Sequence, residues 1–147
     1  VIYADSEEIN GFAAWLPFGF TGNKAIPFLL SGGLKLILHS GLGIINRLSA
    51  YENYAMGLKK EYTDNYDWYL FNLSIKKDAQ GKGIASKLMR PMLEFCDNEN
   101  MVCYLETNKE SNVTLYQHYG FQLAEQKIVP KSNVMHYAMT RKPMPME

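Results

Sequence analysis

The sequence predicts an α/β fold of the mixed α+β kind, on three observations. Two strand-like runs, Trp68–Ile75 (WYLFNLSI) and Met101–Glu106 (MVCYLE), flank a stretch whose apolar residues fall at helical spacing. A β-prone hairpin pattern opens the chain, and a second strand pair closes it. No internal repeat, low-complexity stretch or linker divides the 147 residues, so one domain with one core is expected over 1–147.

Val1–Asp5 is β-prone, Ser6–Asn10 is polar and turn-like, and Gly11–Pro17 (GFAAWLP) is apolar and aromatic again, which reads as a hairpin within 1–20. Pro17, Gly19 and Gly22 end it. Across 21–66, Leu34, Ile37, Leu38, Leu42, Ile45, Leu48 and Tyr51 recur at spacings of three and four. Two or three helices are expected there, broken near Gly41 and Gly43 and finished before Asp64–Asn65.

Trp68–Ile75 is almost continuously apolar and reads as a central strand buried on both faces. Lys76–Gly83 is a loop. From Lys82 onward, Ile84, Leu88, Met92 and Phe95 mark a helix. Pro91 either kinks it or sits where a lost hydrogen bond is tolerated, and Asp97–Asn100 stops it. Met101–Glu106 is the second central strand. Ser111–Tyr119 is a short helix, with Ser111 as candidate N-cap and Gly120 as the C-terminal stop. Phe121–Val129 and Val134–Arg141 are strands about a Pro130–Asn133 turn, the C-terminal hairpin of 122–141.

Lys+Arg and Asp+Glu both number 15, so the formal net charge is zero. That argues against nucleic acid as a partner, leaving only a local basic patch at Lys76, Lys77 and Lys82. The longest apolar region, Leu34 to Ile45, is interrupted by Lys35 and His39 and is shorter than the roughly 20 residues a membrane span needs, so no membrane partner is expected. Cys96 and Cys103 lie in apolar stretches without a C-x-x-C spacing. They read as buried free thiols of a cytoplasmic protein, and no metal site is expected.

The richest stretch for chemistry runs from Ile75 to Ala85, where a strand enters a glycine-containing loop that opens a helix. Such a turn aims free backbone N–H groups at one point beside the positive end of the helix dipole, and glycines let a bulky anion approach. A phosphate or pyrophosphate fits that chemistry. Neither a G-x-x-x-x-G-K-[ST] loop nor a full G-x-G-x-x-G fingerprint is present. Alone, the pattern also fits a helix start that uses glycines merely to turn.

Two motifs together carry a resemblance. Gln80-Gly81-Lys82-Gly83-Ile84-Ala85 matches the pattern [RQ]-x-x-G-x-[GA] after a strand, and Asn112, Tyr116 and Gly120-Phe121 follow about thirty residues on, on a short helix. In this the chain resembles the GNAT superfamily of acetyl-CoA-dependent N-acetyltransferases. Over about residues 65–143, segments such as QGKGIASKLMRPMLEF, YLET and LYQHYGF are also similar to puromycin N-acetyltransferase, which does not imply puromycin as substrate.

The resemblance implies a central, mostly antiparallel mixed sheet with helices on both faces. It implies that 67–121 forms an acetyl-CoA-binding core in which Trp68–Ile75 and Met101–Glu106 are splayed parallel strands. The family fold normally begins with a strand and two helices before the hairpin, so the domain is expected to be N-terminally incomplete, in keeping with a chain that opens on Val1. By the same resemblance, the backbone of Leu73, Ser74 and Ile75 pairs with the pantetheine arm of coenzyme A. Gln80, Gly81, Lys82, Gly83, Ile84 and Ala85 hold the pyrophosphate, and Asn112 contacts the cofactor near its pantetheine end. Tyr116 stands where the family has its general acid, and a core tyrosine is the alternative reading.

Direct attack by a neutral amine on the thioester needs no covalent enzyme intermediate. Stripping a proton from an alkylammonium at neutral pH costs roughly 4 kcal/mol. Glu106, ending the second splayed strand, is the candidate base, and a salt bridge or turn contact is its alternative role. His118 reads as solvated, His39 as a helix residue that could touch substrate, and His136 as a sheet-face residue. Tyr51, Tyr54, Tyr62, Tyr66 and Trp68 make the approach to the core aromatic, by packing or as part of an acceptor pocket.

The expected reaction is acetyl transfer to the primary amine of a small molecule, by a monomer or a homodimer. A protein or peptide N-acetyltransferase, a non-catalytic acyl-CoA-binding module and a nucleotide-binding regulator are the competing readings.

Overall fold

The computed structural model describes residues 1–4, 9–17, 43–62, 67–130 and 132–145. The helices expected over Leu34–Leu42, together with His39, Tyr66 and the Asp64–Asn65 break, lie outside them.

Strands β1 (Ile2–Ala4) and β2 (Gly11–Pro17) pair antiparallel, as the hairpin pattern required. Helix α1 (Gly43–Tyr62) precedes β3 (Trp68–Ile75). A 3-10 turn (Lys77–Ala79) leads into α2 (Ile84–Asn98), followed by β4 (Cys103–Thr107), α3 (Glu110–His118), β5 (Gln122–Val129) and β6 (Val134–Arg141). The six strands form one sheet in the order β1-β2-β3-β4-β6-β5. Among the described residues, only β3 and β4 run parallel; the other neighbouring pairs are antiparallel.

Helices cover both faces of the sheet. The larger core lies under α2, whose Ile84, Leu88, Met89, Met92, Leu93 and Cys96 are buried at the spacing of one helix face. They meet Ala13, Trp15, Leu70, Cys103, Leu105, Phe121 and Met139. On the other face, Tyr104 and Ala138 meet α1 through Leu58, with Tyr54, Tyr62 and Tyr69 packed around them. Successive residues of β4 and β6 serve opposite cores, as strand alternation dictates. The inward stripe of α1 is thus Tyr51, Tyr54, Ala55, Leu58 and Tyr62. Leu48, which fitted the expected apolar periodicity, is 42% exposed.

Three expectations need correction. β4 begins at Cys103 rather than Met101, because Met101 N–H still bonds Cys96 O at 2.8 Å and Val102 N–H bonds the Asp67 carboxylate at 2.9 Å. The chain is closing the α2 turn at those positions, not yet running as strand. Ser111 does not cap α3: Lys109 is the N-cap residue, without a side-chain bond, and the Thr107 hydroxyl takes the Lys109 N–H instead. β3 is central but not buried on both faces, since Phe71 is 55% exposed.

Pro91 lies within α2 on its exposed side, where the carbonyl it leaves unpaired faces water, and the helix continues to Asn98. At the end of α3, Gly120 takes φ +86°; its N–H bonds Gln117 O at 2.9 Å and the Phe121 N–H bonds Tyr116 O at 3.2 Å. This is a Schellman motif, and its companion apolar contact is the Tyr116–Phe121 ring pair. Buried Arg141 ties this turn to the end of α2. It donates to Tyr119 O at 3.0 Å and forks onto both Asp97 oxygens at 2.7 Å.

Candidate functional site

Beyond Leu70 the ladder between β3 and β4 stops. Their parallel pairing is Trp68↔Cys103, Tyr69↔Tyr104 and Leu70↔Leu105. From there the strands part, and a V-shaped opening lies between Phe71–Ile75 and Glu106–Thr107.

The cause is a β-bulge. On the β2 side Trp15 pairs with Leu70 and Ala14 with Asn72, so Phe71 is an extra residue without a partner. The insertion switches the parity of the strand. Trp68 and Leu70 face the larger core, and so do Leu73 and Ile75, three and five residues after Leu70. The sequence carried this signal in the spacing Trp68, Leu70, Leu73, Ile75. The near-continuous apolar run hid it.

The bulge also sets backbone direction. Trp68 N–H reaches Val102 O at 3.0 Å, toward β4, while Lys76 N–H reaches Asn10 O at 2.7 Å, toward β2. Since hydrogen-bonding direction alternates along a strand, Leu73 and Ile75 turn their N–H and C=O groups to the opening and Ser74 turns its own to β2. Ser74 contributes its hydroxyl to Asn72 Oδ1 at 2.6 Å. Gln80 donates through Nε2 to Ile75 O at 3.3 Å, folding the loop back over the strand end.

Buried Ala79 anchors that loop, and Gly81 and Gly83 both take φ +75°. Gly83 is the N-cap of α2, with no side-chain cap and no acidic residue in the first turn. The amides of Gly83, Ile84, Ala85 and Ser86 therefore have no intrahelical partner. A Cβ built on Gly81 or Gly83 would meet nothing within 4 Å. Four open donors at the positive end of a fifteen-residue helix, beside exposed Lys76, Lys77 and Lys82, fit a pyrophosphate. Ser86 is further joined to Tyr119 by a hydroxyl contact of 3.0 Å, which links the start of α2 to the end of α3.

Asn112 and Tyr116 stand on α3, which follows the end of β4. Asn112 donates to Thr107 Oγ1 at 3.1 Å, leaving its Oδ1 without a partner among the described residues. The ring of Tyr116 is buried in the larger core, and its hydroxyl has no hydrogen-bond partner among the described residues. Burial raises its pKa above the ordinary phenol value, so the group stays protonated and ready to donate.

Glu106 lies on the other sheet face. Tyr104 donates to its Oε1 at 2.9 Å, and Tyr69 also hydrogen-bonds it. Burial first, and then the Glu106 charge, push both phenols up. Lys59 stands over the Tyr69 ring at 4.2 Å.

Of the histidines, His118 is exposed against the Tyr119 ring and His136 is fully buried against Tyr51 and Tyr54. Cys96 and Cys103 are buried and free; their mutual contact and burial hold the Cys103 thiol protonated and inert. Among the described residues no cluster of three metal-ligating side chains forms, and no helix is long and apolar enough to cross a membrane.

The chain is similar to known proteins. The family model described as an acetyltransferase (GNAT) domain matches residues 43–123. An uncharacterized N-acetyltransferase of Schizosaccharomyces pombe is 29% identical over 125 residues, which are 84% of this chain and 48% of that protein. The chain thus spans about half the length of this curated relative. An acetyltransferase of the GNAT family from Desulfovibrio desulfuricans superposes with a TM-score of 0.56 at 10% identity, over 96% of this chain and 66% of that one. Another acetyltransferase structure gives 0.52 at 18% identity, over 97% and 69%. Both likenesses are of fold.

Proposed function

Because the chain belongs to the GNAT acetyltransferase domain family and has its mixed α/β fold, we propose that it transfers an acetyl group from acetyl-CoA to the primary amine of a small molecule by direct attack. The observation that carries this is the parting of β3 and β4 after three residue pairs, with unclaimed α2 amides at the end of the same strand. Among the described residues, Leu73 and the Ile75 N–H offer an unpaired strand edge along which a pantetheine arm pairs, with the Ile75 carbonyl held by Gln80. Gly83 to Ala85, with Gln80 to Lys82 before them, hold the pyrophosphate. Asn112 offers its side-chain oxygen near the thioester end.

Acetyl-CoA, when bound, supplies the activated carbonyl and the leaving thiolate. Backbone N–H groups at the bulge polarise the carbonyl, in the manner of oxyanion donors. Glu106, fixed by two phenols, draws in the ammonium and accepts its first proton. Tyr116 protonates the departing sulfur. The acceptor reading rests on the surroundings of Glu106: one carboxylate among Tyr51, Tyr69 and exposed Phe71 suits an amine with an apolar body.

The test is CoA release from acetyl-CoA across matched panels of small amines and peptide N-termini. Preference for small amines is expected, and faster turnover of the peptides would overturn the acceptor assignment. Gly83→Val should raise the Kd for CoA at least tenfold by calorimetry. The substitution strains a left-handed position and fills the space beside the amides. Unchanged affinity would remove the pyrophosphate from this loop.

A further inference from the structure

His136 is a buried imidazole that the chemistry so far leaves idle. It is 0% exposed, and its Nε2 has no hydrogen-bond partner among the described residues. An orphaned buried polar atom is uncommon and costly enough to call for a reason. The reason lies on the other ring nitrogen. Nδ1 is 2.9 Å from the Tyr51 hydroxyl. Asn108 donates through Nδ2 to that same oxygen at 2.9 Å, and also to Met135 O at 2.9 Å. With its oxygen already accepting, Tyr51 directs its own hydrogen to Nδ1 at 2.9 Å rather than to Asn108 Oδ1 at 3.2 Å. The chain runs one way: Asn108 to Tyr51 to His136. It requires the Nε2–H tautomer, which puts the basic lone pair of the ring on Tyr51 and strands the other nitrogen.

Tyr51 is half-buried at the end of β4, close enough to Glu106 for that charge to act on it. Amine acetylation sheds two protons from an ammonium, one before attack and one as the N–C bond forms. Glu106 can hold only one. We infer that Tyr51 and His136 form the second acceptor: the Tyr51 oxygen takes the proton released as the N–C bond forms, while the Tyr51 hydrogen passes to Nδ1 of His136.

The inference rests on the acetyl-transfer reading above, and it balances. The amine lone pair makes the N–C bond. The C–S bond breaks with its electron pair on sulfur, which takes the Tyr116 proton. Glu106 and His136 are left protonated and Tyr116 ionised; one proton returns to Tyr116 and the other goes to water. A nitrogen sharing its lone pair with a carbonyl carbon is acidic, so a weakly basic buried imidazole suffices. Around His136 stand Tyr51 and Tyr54 from α1 and Glu125 from β5, with Lys127 opposite in register; Glu106 of β4 lies beyond Tyr51. Glu125, which binds the Tyr54 hydroxyl at 2.8 Å, is the nearby negative charge that favours a transient imidazolium. Tyr51 would touch the substrate; His136 acts through it and is a positioning and relay residue.

Two measurements on the whole chain decide the matter. Nitrogen-15 NMR of the histidine side chains should find His136 as the Nε2–H tautomer, with Nδ1 shifting when Tyr51→Phe removes its donor. A proton on Nδ1 would reverse the relay and overturn the proposal without any activity assay. CoA release is then followed with benzylamine for the parent chain, Tyr51→Phe, His136→Asn and the double variant, with melting curves to confirm folding. Each single change should lower kcat about 100-fold, the double variant should lose no more than either, and the KM for acetyl-CoA should hold. Undiminished kcat in Tyr51→Phe, or losses that multiply, would refute the relay. No turnover by the parent chain would strike the acetyl-transfer reading instead, while the tautomer still answers for the relay.

Discussion

At the residue scale, the site depends on which polar groups are left free and which are held. Tyr116 has a buried ring and a hydroxyl without a partner among the described residues, which supports the proposed role of proton donor to the thioester sulfur. Tyr116→Phe should reduce kcat about 100-fold, with the Kd for acetyl-CoA, read by calorimetry, within twofold of the parent. Unreduced turnover would take Tyr116 out of the acid role. The motif spacing alone pointed to this residue but could not tell a donor from a core tyrosine. The absence of a hydroxyl partner among the described residues favours the donor reading, which the Tyr116→Phe comparison tests.

Two groups with lowered pKa values bear on how the fold responds to acid. Burial lowers the pKa of His136 below its ordinary value of 6.5, so below that pH the unfolded chain binds more protons than the folded one. Stability contributed by the neutral ring is present above pH about 6.5 and is lost as the pH falls through the folded value. Asp97 is held low chiefly by its Arg141 hydrogen bonds. Its contribution is present above the unfolded carboxylate value of about 3.9 and vanishes only in stronger acid. Urea melts at a series of pH values should show stability falling as the pH drops below 6.5 in the parent, and a flatter curve there in His136→Gln. An equally steep curve in the variant would assign the acid loss to other groups. His136 read from sequence as a plain sheet-face residue, because its partner Tyr51 lies 85 positions away.

At the scale of single elements, the Schellman turn after α3 explains part of the motif from which the chain's likeness was read. Gly120 must be left-handed, and Phe121 must cover the Tyr116 ring. A Cβ at 120 would run into the Met144 side chain and come within 3.3 Å of Arg141 Nε. Gly120→Ala should therefore cost about 1–2 kcal/mol from the backbone alone, seen as a lower urea midpoint with an unchanged m-value. No loss would mean that the turn relaxes freely.

Elements with a strong local signal were legible. β3 and the last two strands lie where their patterns put them, apart from Phe121, which belongs to the turn. Boundaries decided by distant partners were not. β4 starts late because Asp67 and Cys96 engage the residues before it. α3 starts without the Ser111 cap because Thr107 already serves the turn.

At the scale of the whole molecule, the sheet is held from both faces yet divided at its parallel pair. The larger core under α2 and the tyrosine-lined core under α1 meet through β4 and β6, whose residues alternate between them. Past Leu70 nothing among the described residues of the sheet takes the Leu73 and Ile75 amides. Hydrogen exchange should find them fast beside a slow Leu70. Added CoA should slow them tenfold or more by strand-like pairing. Protection without ligand would mean that the gap is already filled. The loop, the two motifs and the succession of strands and helices along the chain were legible in the sequence. The gap was expected only through the family resemblance; periodicity alone did not show it, because it depends on one unpaired residue in a run that looks regular.

That residue, Phe71, sets smooth pairing against access. Were it deleted, Trp68, Leu70 and the present Leu73 and Ile75 would fall at unbroken two-residue intervals on one face. The two parallel strands could then zip together to their ends. The outcome would be a tidier sheet, well suited to folding, without the opening in which the proposal seats a nucleotide-tailed thioester. In this chain the irregularity, rather than the regular lattice around it, opens the space to which the proposed chemistry is assigned.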